Sequence, residues 1–113
     1  MIEQYHFGHI VINGKAYNSD VIVTKDNVFS SWWRKEGHKV YWEDLERFIT
    51  PEIKTVILGT GASGLMQPTT ELKQKLAERG IELIAMPTKK AIEVFNSYIK
   101  EKKEVLGGFH LTC

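Results

Sequence analysis

The sequence predicts an α/β fold with a β-rich N-terminal part. Two observations carry that prediction. Residues 55–86 run strand, glycine-rich turn, helix, strand, the order of a βαβ unit, whose strands are parallel with a right-handed crossover. Residues 2–32 instead alternate short β-branched runs with two- and three-residue turns, the order of antiparallel hairpins. At 113 residues the chain is long enough for one domain, 1–113, with a proper core and no disulfide or metal to staple it.

Ile2 to Phe7 reads as an edge strand ended by Gly8. His9-Ile10-Val11-Ile12 is a stronger strand, and Asn13-Gly14 after it is the signal for a type I′ turn, whose two central residues both need positive φ. Lys15-Ala16-Tyr17 returns antiparallel. Asn18-Ser19-Asp20 turns the chain, Val21-Ile22-Val23-Thr24 is a strand, and Val28 to Trp32 extends after the Lys25-Asp26-Asn27 turn. Val40-Tyr41 makes a brief strand. Trp42, Leu45, Phe48 and Ile49 then recur at helical spacing, and Thr50-Pro51 stops that helix.

Thr55-Val56-Ile57-Leu58 is continuously apolar or β-branched, as a strand buried on both faces must be. Pro68 suits the first turn of the next helix, Leu72 and Leu76 form its buried stripe, and Gly80 closes it. Ile81 to Met86 reads as a second inner strand. Thr88 is placed to N-cap a helix whose apolar face is Ala91, Ile92, Phe95, Tyr98 and Ile99. Val105 to Leu111 is the last strand, with Gly107-Gly108 marking a bulge or a close approach.

Composition removes several function classes. Fifteen basic and fourteen acidic residues give a net charge of +1, which supplies no broad field for nucleic acid or an anionic membrane. No apolar run is long enough to span a bilayer, and the N-terminal residues lack the pattern of a secretory signal. Cys113 is the lone cysteine, so no intramolecular disulfide can form and a cytoplasmic, reducing setting fits. The four histidines are scattered without metal-ligand spacing, and neither a metal nor a cofactor is implied.

Gly59-Thr60-Gly61-Ala62-Ser63-Gly64 is a literal G-x-G-x-x-G after a strand. A dinucleotide site also needs the helix to open at the third glycine and an acid near the end of the second strand. Here Leu65 to Pro68 intervene, and the second strand ends Ala85-Met86-Pro87. Two readings of the loop stay open: anion binding by exposed amides, or a tight turn that binds nothing. Helix-terminus electrostatics supply roughly 0.3–1 kcal/mol and micromolar binding needs about 8, so an anion site also needs side chains such as Arg34, Lys89 or Lys90.

Ser63 is not a nucleophile elbow, because position 65 is leucine in place of the second glycine. A triad from it would require His38 or His110 with Asp20 or Asp44, and no spacing supports one. Trp32-Trp33-Arg34 with His38 and Lys39 can stack a base or form an interface hot spot, against the plainer reading of one ring packed in the core. Asn96, polar inside an apolar helix, either hydrogen-bonds inward to a strand end or lines a pocket.

Several landmarks in order resemble a known family: Ser19-Asp20-Val21-Ile22, Trp33-Arg34 with Gly37-His38, the Gly59-Thr60-Gly61 loop, and Thr88, Ala91 and Phe95-Asn96 leading to Glu101 and a glycine-bearing terminal strand. Together they look like the Mth938-like domain family, a family of unknown function. The resemblance implies a three-layer α/β fold with a central mixed sheet, and no established enzyme activity. Relatives that include an adipogenesis-associated protein and a mitochondrial complex I assembly factor imply a protein-interaction role. Lys102-Lys103 stand where the family tends to carry arginine, and lysine does not reproduce a planar bidentate grip.

The expectation is therefore a non-enzymatic domain that binds a protein partner. A candidate ligand pocket lies where Gly59, Thr60, Gly61, Ser63 and Gly64 meet Thr88, Asn96 and Arg34. The alternative is a binder of, or enzyme on, a small anionic ligand held by the glycine loop. Nucleic-acid binding through Trp33, Arg34, Lys35 and Lys39 is a weaker third reading.

Overall fold

The computed structural model describes residues 1–113. Strands β1 (Ile2–His6), β2 (His9–Ile12) and β3 (Lys15–Tyr17) form an antiparallel meander. Its second turn is the expected one, since Asn13 and Gly14 both have positive φ, 50° and 81°. The central sheet has five strands in the order β5 (Val28–Phe29), β4 (Val21–Val23), β10 (Val105–His110), β7 (Thr55–Thr60), β9 (Glu82–Met86). β7, β9 and β10 are mutually parallel, whereas β4 runs antiparallel to β10 and β5 to β4, so the sheet is mixed.

Side chains alternate across the sheet and build one apolar layer on each face. Val21, Val23, Ile57, Val105 and Phe109 pack under helix α3 (Thr88–Lys100) and the meander, through Ala91, Ile92, Phe95, Ile10 and Ile12. Ile22, Val56, Leu58 and Leu106 pack on the other face against Trp32 and against Leu45, Leu72 and Leu76, which come from helices α1 (Trp42–Leu45) and α2 (Thr70–Glu78). The middle strand carries no side chain at Gly107 and Gly108. A Cβ at Gly107 would lie 2.5 Å from the Phe109 ring, and one at Gly108 3.0 Å from the Trp32 ring. The glycine pair marks close approach, and the pairing with β7 runs through it in regular register without a bulge.

Five expectations change. β7 runs past Leu58 to Thr60, because Gly59 and Thr60 continue the ladder opposite Phe109 and His110. Pro68 lies in β8 (Gln67–Pro68), paired in parallel with β6 (Lys39–Val40), and not in the helix. The amides of Gln67 and Thr69 make that pairing, on His38 O and Val40 O, so the proline falls where no donor is required. Thr69 caps α2 instead, its Oγ1 accepting from Leu72 N at 3.1 Å. β9 is an edge strand and not an inner one. Pro87, not Thr88, stands at the N-cap of α3, and the Thr88 hydroxyl is committed elsewhere. The extended segment after the Lys25-Asp26-Asn27 turn pairs only at Val28–Phe29.

Candidate functional site

The carboxyl ends of β7 and β10 and the amino end of β4, the antiparallel neighbour of β10, lie together, which is where ligands bind in open α/β sheets. This juxtaposition brings Asp20, just before β4, onto His110, the last residue of β10. Asp20 Oδ2 lies 2.8 Å from His110 Nδ1, and its Oδ1 accepts from Leu111 N at 2.8 Å. The backbone of Trp32 is tied to the same place, its N–H donating to Asp20 O. That tie delivers Arg34, whose Nη2 reaches Asp20 Oδ2 at 2.8 Å, Gly37 O at 2.9 Å and His110 Nδ1 at 3.2 Å.

Donor counting settles the protons. Nη2 has two hydrogens, and the carboxylate and the Gly37 carbonyl take both. His110 Nδ1 therefore carries a hydrogen and donates it to Asp20. Both basic side chains are more than nine-tenths buried, Arg34 at 4% and His110 at 8% exposure. Nε2 of His110, and Nε and Nη1 of Arg34, are sealed from solvent with no hydrogen-bond partner. The guanidinium lies over the Trp32 ring, 4.6 Å from its centroid, and the His38 ring meets His110 edge-on at 5.8 Å.

Burial pushes the Asp20 carboxyl up. The bonds from His110, Leu111 N–H and Arg34 outweigh burial and hold it below the ordinary carboxylate range.

Of the candidate ligand residues, the structure brings Gly59, Thr60, Gly61, Ser63, Gly64, Thr88 and Arg34 to this end of the sheet, but not Asn96. Asn96 sits eight positions into α3 and is spent on β1, donating to Ile2 O at 2.8 Å and accepting from Ile2 N at 3.1 Å. That is the inward bond to a strand, not a pocket wall. Thr88 Oγ1 accepts from Gly61 N at 2.8 Å and donates to His110 O at 2.6 Å, so it clamps the glycine loop to the end of β10.

The loop itself is closed. A Cβ at Gly61, where φ is +105°, would stand 2.3 Å from the Cys113 carbonyl carbon, and one at Gly59 2.8 Å from the Phe109 ring. Ala62 N donates to Thr112 O, Leu65 N to Cys113 O, Met66 N to Thr60 O and Gly64 N to Gly61 O. Ser63 alone among residues 61–66 keeps a free amide, so the geometry is that of the tight turn and not of a row of exposed amides. A widely lined groove, of about 430 Å³, lies at the opposite end of the sheet among Thr24, Phe48, Ile53 and Val105.

Asp20 and His110 are the residues that spacing rules miss, for they stand 90 positions apart. The signal that could have found them is strand parity. Asp20 shares the face of Ile22, and His110 that of Leu106, at the ends of two adjacent strands. No hydroxyl or thiol bonds to His110 Nε2, so the nucleophile of a triad is not assembled.

This end of the molecule also exposes large apolar side chains. Trp33 is 76%, Phe7 65% and Leu65 52% exposed. Each is within one residue of a group tied to residues 110–113: Gly8 N donates to Leu111 O, Leu65 N to Cys113 O, and Arg34 touches His110. No helix is long and apolar enough to cross a membrane.

A family model described as "protein of unknown function (DUF498/DUF598)" matches residues 2–110. Solved structures share the fold along nearly the whole chain. The conserved hypothetical protein PH1505 from Pyrococcus horikoshii is 26% identical with a TM-score of 0.83, over 100% of this chain and 99% of that one. A structure titled "MT938" is 25% identical with a TM-score of 0.81, over 100% and 98%. A Bordetella pertussis protein, described as a Mth938-like domain, is 15% identical with a TM-score of 0.77, over 98% and 85%, a likeness of fold.

Proposed function

The chain belongs to the Mth938-like family of unknown function (DUF498/DUF598), and from that membership we propose that it is a non-enzymatic domain that docks a protein partner. One observation carries the reading. Three large apolar side chains, Phe7, Trp33 and Leu65, stand exposed around the hydrogen-bonded 110–113 segment. Exposed tryptophan is the side chain most enriched among residues that dominate binding energy. The buried Asp20–Arg34–His110 cluster beneath them serves this role by keeping the segments rigid. A cytoplasmic setting accompanies the proposal, supported by a sequence with one cysteine.

Affinity capture at near-native expression tests it. A partner in stoichiometric amount is expected with the wild type and lost with Trp33→Ala plus Leu65→Glu, the variant keeping its melting temperature. Trp33→Ala alone weakens the purified complex about 30-fold, the equivalent of about 2 kcal/mol. Equal recovery from wild type and variant overturns the reading.

The partnerless nitrogens of Arg34 and His110 favour a second reading, a small anionic ligand that enters by displacing the 111–113 segment. Phosphate- and carboxylate-bearing compounds then raise the melting temperature of the wild type but not of Arg34→Met. A panel that leaves the wild type unshifted disposes of it.

A further inference from the structure

The two margins of the central sheet are treated differently. β5 is two residues long, a common way of blunting an edge. β9 has five residues, Glu82-Leu83-Ile84-Ala85-Met86, with no proline and one charge. That charge is turned aside, Glu82 Oε1 accepting from Thr55 Oγ1 at 3.1 Å and Tyr98 OH at 3.2 Å. Along the edge runs a groove of about 430 Å³ lined by Pro68, Ala77, Ile81, Leu83 and Ala85, with Lys73 at its rim.

Glu82 N donates to Lys54 O on the β7 side. Backbone groups alternate along a strand, so Ile84 and Met86 also face β7, and Leu83 and Ala85 point their N–H and C=O groups outward. Neither outward amide has a partner outside the ladder with β7. We propose that β9 pairs antiparallel with β9 of a second copy of this chain, on a two-fold axis at Ile84, to make one continuous ten-stranded sheet.

The register follows from the donors. Centring on Ile84 sets Leu83 opposite Ala85 of the second copy and Ala85 opposite Leu83, so all four outward amides and carbonyls on the two strands pair. Centring on Leu83 sets Ala85 against Ile81, whose amide is already spent on Leu76 O at 2.9 Å. Centring on Ala85 sets Leu83 against Pro87, which has no amide. The chosen register also matches large against small on the groove face, leucine on alanine. On the α3 face it sets Ile84 against Ile84.

Charge points the same way. The antiparallel arrangement sets Glu82 opposite Met86 of the second copy and keeps the two carboxylates apart. A parallel arrangement would set Glu82 beside Glu82. Isologous pairing of this kind closes on itself and leaves the two β5 edges as the sheet's only margins.

Sedimentation equilibrium on the full chain tests the proposal, together with hydrogen exchange at Leu83 and Ala85. The expected mass is twice that of one chain at high concentration, with both amides protected like that of Ile84. Ala85→Lys and Ala85→Pro each return the mass to that of a monomer with an unchanged circular dichroism spectrum. If one variant fails to fold, the other and the wild-type exchange pattern still decide. A wild-type monomer overturns the proposal, including one whose Leu83 and Ala85 amides become protected only when a different protein is added. So does a dimer that survives both substitutions, or one in which Leu83 and Ala85 exchange freely.

Discussion

Asp20 ties together three separate parts of the fold. One carboxylate joins β4, β10 and the segment after Trp32, and it is the only counter-charge in contact with the buried Arg34 guanidinium. Removing one partner of a buried pair strands the other, which costs on the order of 3 kcal/mol. Asp20→Asn is expected to lower the unfolding free energy by about that much in urea titrations at pH 7. The pH dependence follows from the depressed carboxyl. The folded state binds this proton more weakly than the unfolded chain does, whose ordinary value is about 3.9. Its contribution is therefore complete above about pH 4 and drains away as pH falls through the folded-state value. Urea midpoints of wild type and Asp20→Asn should converge over that interval and stay separated above it. A constant separation down to the lowest pH would contradict the assignment.

At the scale of elements, α3 is a fastener as well as a cover. Its first residue, Thr88, holds the glycine loop to β10, and Asn96 exchanges two hydrogen bonds with Ile2. Asn96→Ala should cost about 1–3 kcal/mol and leave a half-satisfied β1. Hydrogen exchange at Ile2 and along β1 should rise while β7 and β10 stay protected. The sequence makes some of these elements legible and hides others for definite reasons. Asn13-Gly14 announces its turn because the conformation demands residues that tolerate positive φ, and both adopt it. The β-branched runs declare β4 and β7 by composition. Thr88 misleads, because a hydroxyl suited to a cap is equally suited to any acceptor nearby, and only the register of β10 supplies one. Pro68 misleads likewise, since its fixed φ serves a short parallel strand as well as a helix start.

For the molecule as a whole, the layered architecture is readable in the sequence, while the site depends on pairings between strands distant along the chain. That the sheet is covered on both faces can be read from the unbroken apolar runs of β4 and β7. That Asp20 reaches Leu111, 91 positions away, cannot be, because no local pattern encodes which strands become neighbours. Such long-range pairing should also govern kinetics. Refolding by denaturant dilution should fall in the millisecond-to-second range of sheets rich in distant contacts, not in microseconds. Stopped-flow tryptophan fluorescence reports it directly, since Trp32 packs on Gly108 of the middle strand.

That middle strand has a consequence for biosynthesis. β10 lies between β4 and β7, yet it is the final strand of the chain. While the ribosome is still making residues 88–104, both flanking strands already exist and the strand that joins them does not. The nascent polypeptide thus waits with its keystone missing, and it can lock into its mature form only when Val105–His110 leaves the exit tunnel.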